Sequence, residues 1–361
     1  MALTKGVRLL SRRVGIVMAL ILIVVAIIMA LTTSGAKDKR NPDLNAKGGR
    51  SYPAEASDNC WVYLHMNKSG GSTIKSMLSQ WKGIRSRSRL LVDGGTFLDF
   101  ARTGRLKRFG HSSILTFGGY VESLRASGLV GDNCKWFTVF RHPVSRLVSA
   151  YFYCKYLERA PLCAPKEIDM DTVDLVTFAE HWGNFGLRQF ALALVPARDI
   201  ISSPPAKSCK KCPGWYKAKL HFDSLGQQSY NSTEAGLSRT RKVDSALEQY
   251  LLPAFDILDA NYAAVGLLED VPATLSLFNE ALGMPGLDWK AQFATKGSQN
   301  VNPLSADAQY ERDEALRNAW VDPDIQRILW LDLALYEHAT MVNAKQLAHY
   351  DLKEVASVGP P

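Results

Sequence analysis

Apolar and polar positions divide the chain into distinct stretches. Val14 to Leu31 is a run of eighteen apolar or small residues with no charge, just long enough to cross a bilayer. Residues 32–58 are small and polar, without apolar periodicity, and read as a stem or linker. From Trp61 short β-prone runs alternate with longer amphipathic ones. The pattern predicts strands at Trp61–Leu64, His111–Phe117, Trp136–Phe140 and Ala263–Leu268. It predicts helices over Thr73–Leu78, Pro143–Tyr156, Phe178–Leu194, Arg241–Leu258, Pro272–Leu282 and Ala306–Ala339, with Pro143 in a first turn where its missing N–H costs nothing. Residues 201–240 are irregular and rich in Pro, Lys, Ser and Gly. Strands alternating with helices predict an α/β fold of three layers, a mostly parallel sheet with helices on both faces. The expected domain spans 59–345, and the tail 346–361 is expected to be disordered.

Charge sharpens the ends of this picture. The first 13 residues hold Lys5, Arg8, Arg12 and Arg13 and no acid, leaving 39 basic against 35 acidic residues in the rest. By the positive-inside rule, residues 1–13 are a cytoplasmic tail and 14–31 an uncleaved signal anchor of a single-pass type II protein. Lys37, Lys39 and Arg40 beyond the span weaken that asymmetry. A cleaved signal peptide ending near Thr33–Ala36 is the competing expectation. Both place the body in the secretory pathway, as its 6 cysteines suit. Cys60 and Cys134 each precede a strand, so a disulfide between them requires those strands to be parallel neighbours. Cys154 and Cys163 can close a short loop, and Cys209-x-x-Cys212 reads as disulfide rather than zinc chemistry. The mildly basic body suits an anionic ligand, and no nucleic-acid partner is expected.

Two motifs start where predicted strands end, the position at which open parallel sheets bind ligands. The first is Lys68-Ser69-Gly70-Gly71-Ser72-Thr73. Its glycines permit close backbone approach, its amides open a helix, and Lys68 adds a mobile charge, which together make an anion cradle. It is not the ATP loop in which Lys follows the second glycine. The second is Arg141-His142-Pro143, with Arg146 and Ser149 following. Arg141 stands at a strand end as a bidentate phosphate ligand should, and Ser149 lies about two helical turns on. Arg146 has the alternative of a structural ion pair.

In this order and about 70 residues apart, the motifs resemble the phosphosulfate and 3′-phosphate loops of membrane-bound carbohydrate sulfotransferases. The chain is most similar to the branch that includes heparan sulfate and uronyl 2-O-sulfotransferases. That branch opens with His-x-Pro-Lys-x-Gly-Gly-[Thr/Ser]-[Thr/Ser]; here it reads His65 to Thr73, with Asn67 where Pro is usual. Arg141, Pro143, Arg146, Ser149 and Tyr151 match its second motif. The resemblance covers most of residues 60–340, with Val265–Asp270 and Asp332–Tyr336 like its late strand and closing helix. Residues 201–240 diverge, and Lys296–Pro303 falls where the family brings a segment over the nucleotide.

The resemblance implies a P-loop-like sulfotransferase fold, a Golgi membrane location and the co-substrate 3′-phosphoadenosine 5′-phosphosulfate. It assigns Lys68, Ser69, Gly70, Gly71, Ser72 and Thr73 to the 5′-phosphosulfate, and Arg141 and Ser149 to the 3′-phosphate. The implied reaction is in-line sulfuryl transfer to a hydroxyl of a carbohydrate, a polysaccharide acceptor, with Lys68 neutralising the leaving group. No metal is expected. His111 is the candidate general base: the 2-O-sulfotransferases carry His-Gly-His there, against Phe109-Gly110-His111 here. His65 and His142 read as structural. A tyrosine or small-molecule acceptor, a kinase and a non-catalytic nucleotide- or glycan-binding module are the alternatives. Asn231 heads the more plausible glycosylation sequon, since the one at Asn67 falls inside the loop. The basic runs Lys82–Arg89 and Arg102–Arg108 suit an acidic polysaccharide or a solvated face equally.

Overall fold

The structure, a computed structural model, describes residues 61–81, 89–91, 114–117, 134–157, 169–194, 247–297 and 304–352, with Cys163 and Pro204. The apolar run 14–31, the stem, His111, Asn231, the run Arg102–Arg108 and the tail beyond Leu352 lie outside the described residues. Among the described residues no helix is long and apolar enough to cross a membrane.

Five strands form one parallel sheet: β1 (Trp61–Leu64), β2 (Arg89–Leu91), β3 (Ile114–Phe117), β4 (Lys135–Phe140) and β5 (Tyr262–Leu267). Their order is β2-β3-β1-β4-β5, every neighbouring pair parallel. The α/β class expected from the alternating pattern is what the described residues form. β2 was not anticipated; it takes Arg89 from the first basic run into the sheet.

Strand alternation builds two faces. Trp61 and Tyr63 of β1 and Phe137 and Val139 of β4 enter a buried cluster with α1 (Gly71–Gln80), α6 (Val271–Leu282) and α7 (Trp289–Lys296). Phe137 contacts Phe278 and Trp289 edge-on. The alternate residue Phe140 stacks instead on Phe190 of α4 (Phe185–Leu194) at 5.5 Å. A second cluster joins α2 (Pro143–Leu157), α3 (Leu175–Trp182), α8 (Ala306–Val321) and α9 (Pro323–Ile328). Helix α5 (Leu251–Asn261) runs straight into β5.

Two predicted helices are each broken. The run Phe178–Leu194 becomes α3 and α4, because Asn184 takes a left-handed φ of 52°, which Asn tolerates better than most residues. Its side chain repays the strain: Nδ2 donates to the Ile328 carbonyl at 2.7 Å, and Oδ1 accepts from the Asp332 amide at 3.1 Å. The run Ala306–Ala339 becomes α8, α9 and α10 (Trp330–His349). Asp322 precedes Pro323, is therefore held extended, and caps α9 by accepting from the Asp324 and Ile325 amides. Helix α10 continues past the expected domain end at 345. Asn343 and Gln346 explain why: Asn343 donates to the Val265 carbonyl, and Gln346 accepts from the Val265 amide and donates to the Tyr262 carbonyl.

The expected Cys154–Cys163 disulfide is present, with Cα atoms 5.2 Å apart. Cys134 is also disulfide-bonded. β1 and β4 are neighbours with Trp61 opposite Lys135, the arrangement that pairing Cys134 with Cys60 requires; Cys60, Cys209 and Cys212 lie outside the described residues.

One buried ion pair fixes the helices behind the sheet. Arg146 of α2 and Asp332 of α10 are 3% and 2% exposed and bonded to each other. Asp332 also accepts from the Gly186 and Leu187 amides, at 3.1 and 2.7 Å. Arg146 thus serves the structural alternative. Asp332→Ala is expected to cost about 3–5 kcal/mol, since it strands a buried guanidinium, measured as the loss of unfolding free energy in urea. A combined Arg146→Met and Asp332→Leu protein should recover only part, because the two amides stay without an acceptor.

Candidate active site

The sheet order creates a switch point at β1, which lies between β3 and β4. The chain leaves β1 toward one side and returns to place β4 on the other, so a crevice opens at the carboxyl ends of β1 and β4. Thr138 of β4 locks the two strands there, donating to the Leu64 carbonyl at 2.9 Å. The two sequence motifs begin at these two strand ends.

The first forms a tight loop into α1. Lys68 and Gly70 both have positive φ, 64° and 76°. For Lys68 this is a strained conformation, of the sort that concentrates at functional sites. A Cβ at Gly70 would meet Leu268 at 2.8 Å, and one at Gly71 would overlap the His65 ring. A side chain at 71 would therefore displace the His65 ring, and one at 70 would be strained by its left-handed backbone. Gly70 is the N-cap and offers no side chain to the first amides of α1; the Thr73 N–H bonds the Gly70 carbonyl, which leaves the N–H groups of Gly71 and Ser72 for a ligand or water. Ser69 is fully buried, and its Oγ has no hydrogen-bond partner among the described residues.

The second motif closes the opposite wall. Arg141 donates from Nη1 to the Lys68 carbonyl at 3.3 Å, so the two loops touch. His142 donates its amide to Glu269 at 2.8 Å, and Glu269 also accepts from the Tyr336 hydroxyl at 3.1 Å. The His142 ring stacks on Trp320 at 3.8 Å. Burial, with Arg146 nearby, pushes the imidazole down to about 4, so it is a neutral packing element, as the sequence indicated. Helix α2 is aimed so that Ser149 faces the cavity.

Lys68, Ser69, Gly70, Thr73, Arg141 and Ser149 line one cavity of about 500 Å³, within the usual range for small-molecule sites. Gly71 and Ser72 stand in the first turn of α1 without forming its wall. Sequence reasoning missed other lining residues: Tyr153 on α2, and Gln309 and Arg312 on α8. Tyr153 stands one turn beyond Ser149 on α2, a spacing that could have flagged it; nothing local could have flagged Gln309 or Arg312. Met77, Phe152, Leu275 and Phe293 make an apolar side. No Asp or Glu lines this cavity among the described residues. Three cations and no carboxylate make its chemistry anion binding with room for an apolar group.

The electrostatics agree. Burial lowers the Arg141 affinity for its proton, with Arg312 and Arg146 adding to the effect and Glu269 opposing it. Burial, then Arg141, pushes the Lys68 ammonium down to about 8. Its Nζ rests 4.0 Å from the centre of the Tyr153 ring, a cation–π contact. Among the described residues no group of His, Cys, Asp and Glu could hold a metal ion.

No protein-family model matches the chain, and no curated protein matches it in sequence.

Lys68 sets a pH dependence. In the ligand-free protein it is charged well below about pH 8, half-charged near 8, and loses its proton above that. Affinity for inorganic sulfate, whose charge is constant over this range, should therefore be nearly level from pH 6 to 7 and weaken up to tenfold per unit above about 8, measured by calorimetric titration. Lys68→Met should abolish that slope. Because folding holds this amine below its ordinary value, its charge opposes folding fully below about pH 8. Lys68→Met should therefore also melt at a higher temperature than the wild type at pH 7.

Proposed function

We propose that the chain is a sulfotransferase of P-loop-like fold that moves the sulfuryl group of 3′-phosphoadenosine 5′-phosphosulfate onto a hydroxyl of a carbohydrate acceptor. One observation carries the proposal. Lys68, Ser69, Gly70 and Thr73 of the first loop and the pair Arg141 and Ser149, about 70 residues apart in sequence, line a single cationic cavity at a sheet switch point. A donor with phosphates at both ends of a nucleoside needs two anion sites separated by an apolar wall. The orphaned Ser69 hydroxyl and the glycine cradle fit a phosphosulfate, and the apolar side fits a purine.

The chemistry follows from the residues. The acceptor oxygen attacks sulfur in line, the bond from sulfur to the bridging oxygen breaks, and that oxygen keeps the electron pair on the departing nucleotide phosphate. Lys68 and the first amides of α1 neutralise the charge that builds there. The acceptor proton passes to a base; His111 is the candidate, and β3 begins three residues after it. A kinase reading is disfavoured by Lys68 preceding both glycines. The proposed setting is a Golgi membrane, with residues 14–31 as anchor and the domain in the lumen.

The test uses the full chain in detergent, the donor labelled with radioactive sulfate, and a panel of glycans including acidic polysaccharides. Transfer to at least one polysaccharide is expected. Lys68→Ala and His111→Ala should each reduce kcat by 10²-fold or more, the range for a charge-neutralising group and a general base. Arg141→Ala should chiefly raise the KM for the donor. Full transfer in the Lys68 and His111 variants, or binding of ATP with none of the sulfated nucleotide, would overturn the proposal.

A further inference from the structure

Asn67 stands at the entrance of the anion loop, and its backbone N–H is in use. It donates to Oε1 of Gln189 at 3.4 Å. The same side chain donates through Nε2 to the His65 carbonyl at 2.7 Å. Gln189 is 2% exposed and sits in α4, more than 120 residues away in sequence. One amide group therefore holds the backbone on both sides of Met66, where β1 ends and the loop begins.

The helix that carries Gln189 is keyed to the other motif as well. Its first-turn amides, Gly186 and Leu187, bond Asp332, and Asp332 holds Arg146 in α2, whose first turn follows Arg141 and whose next turn carries Ser149. Gly186, Leu187 and Gln189 of α4 thus connect to both motifs, directly to the first and through Asp332 and Arg146 to the second. A rigid helix turn with a contact at each end fixes their separation.

We infer that Gln189 is a positioning residue that sets the Lys68–Thr73 cradle at the correct distance from Arg141 and Ser149, and that it requires a residue with a backbone N–H at position 67. Proline at 67 would remove the donor and leave Oε1 without that partner. This inference rests on the proposed function only in naming the two anions; the clamp acts on any anion seated in the cradle.

The experiment is a double-mutant cycle in the full chain, with Gln189→Met, which keeps the volume and removes both bonds, and Asn67→Pro. The probes are pyrophosphate and 3′-phosphoadenosine 5′-phosphate, titrated calorimetrically, with unfolding midpoints measured alongside. Gln189→Met should weaken both probes about tenfold, and more for the nucleotide, whose two phosphates need both loops at once. Asn67→Pro should weaken them severalfold in the wild-type background and not at all in the Gln189→Met background, since its partner is already gone. Gln189→Glu, which can still accept from Asn67 but cannot donate to His65, should bind more weakly than the wild type. A purely structural Gln189 would lower the unfolding midpoint while leaving the affinities of the folded protein equal, and that result overturns the inference, as do additive losses. If the wild type binds pyrophosphate and not the nucleotide, the sulfate-donor proposal fails while the clamp is judged on pyrophosphate. If it binds neither, both fail.

Discussion

The Asp332 carboxylate is the point on which the rest of the architecture turns. It is a buried anion that gathers one guanidinium and two helix amides from two separate segments onto a third. A buried charge must be answered by good geometry on every lone pair, and here that demand dictates where α2, α4 and α10 lie relative to one another. Helix α2 carries Ser149 and Tyr153 into the cavity wall, so the geometry of the wall is inherited from a bond made well behind it. Substituting both charges by apolar groups would satisfy the packing and lose the aim.

The cavity inverts that arrangement. Behind the sheet, cation and anion are matched; in front, Lys68, Arg141 and Arg312 face a space without a carboxylate partner in its wall. Arg312 does bond Asp313, a partner that lies outside the cavity wall. A site that holds its cations apart from counter-ions stores an unfavourable energy released only when an anion enters. The depressed Lys68 proton affinity, set by burial and then by Arg141, is one expression of that cost.

Much of the frame was legible from the sequence because it is local. Strands β1, β4 and β5 are short β-prone runs, and the glycine cradle and Arg141 sit at their ends, as periodicity and composition indicated. The broken helices were less legible. Asp322-Pro323 is a helix boundary signal that the long amphipathic run obscured, whereas the break at Asn184 exists because Ile328 and Asp332 reward a conformation that Asn merely tolerates. Gln189, Asp332 and Arg312 carried no local signal; a lone Gln or Asp on an amphipathic helix looks like any other until the fold brings its partner near. The role of Ser149 depended on the direction of α2, which eight residues of spacing do not determine.

The side chains of Asn343 and Gln346 lie along β5, the last strand in the described sheet, and occupy backbone groups of Val265 and Tyr262 on it. An outermost strand whose N–H and C=O groups are already engaged offers no template to a strand from another copy. Among the described residues, that side of the sheet leaves fewer backbone groups for a second molecule to pair with. That border of the described sheet is thereby shielded from the pairing that drives aggregation, through two amide side chains and one additional turn of helix.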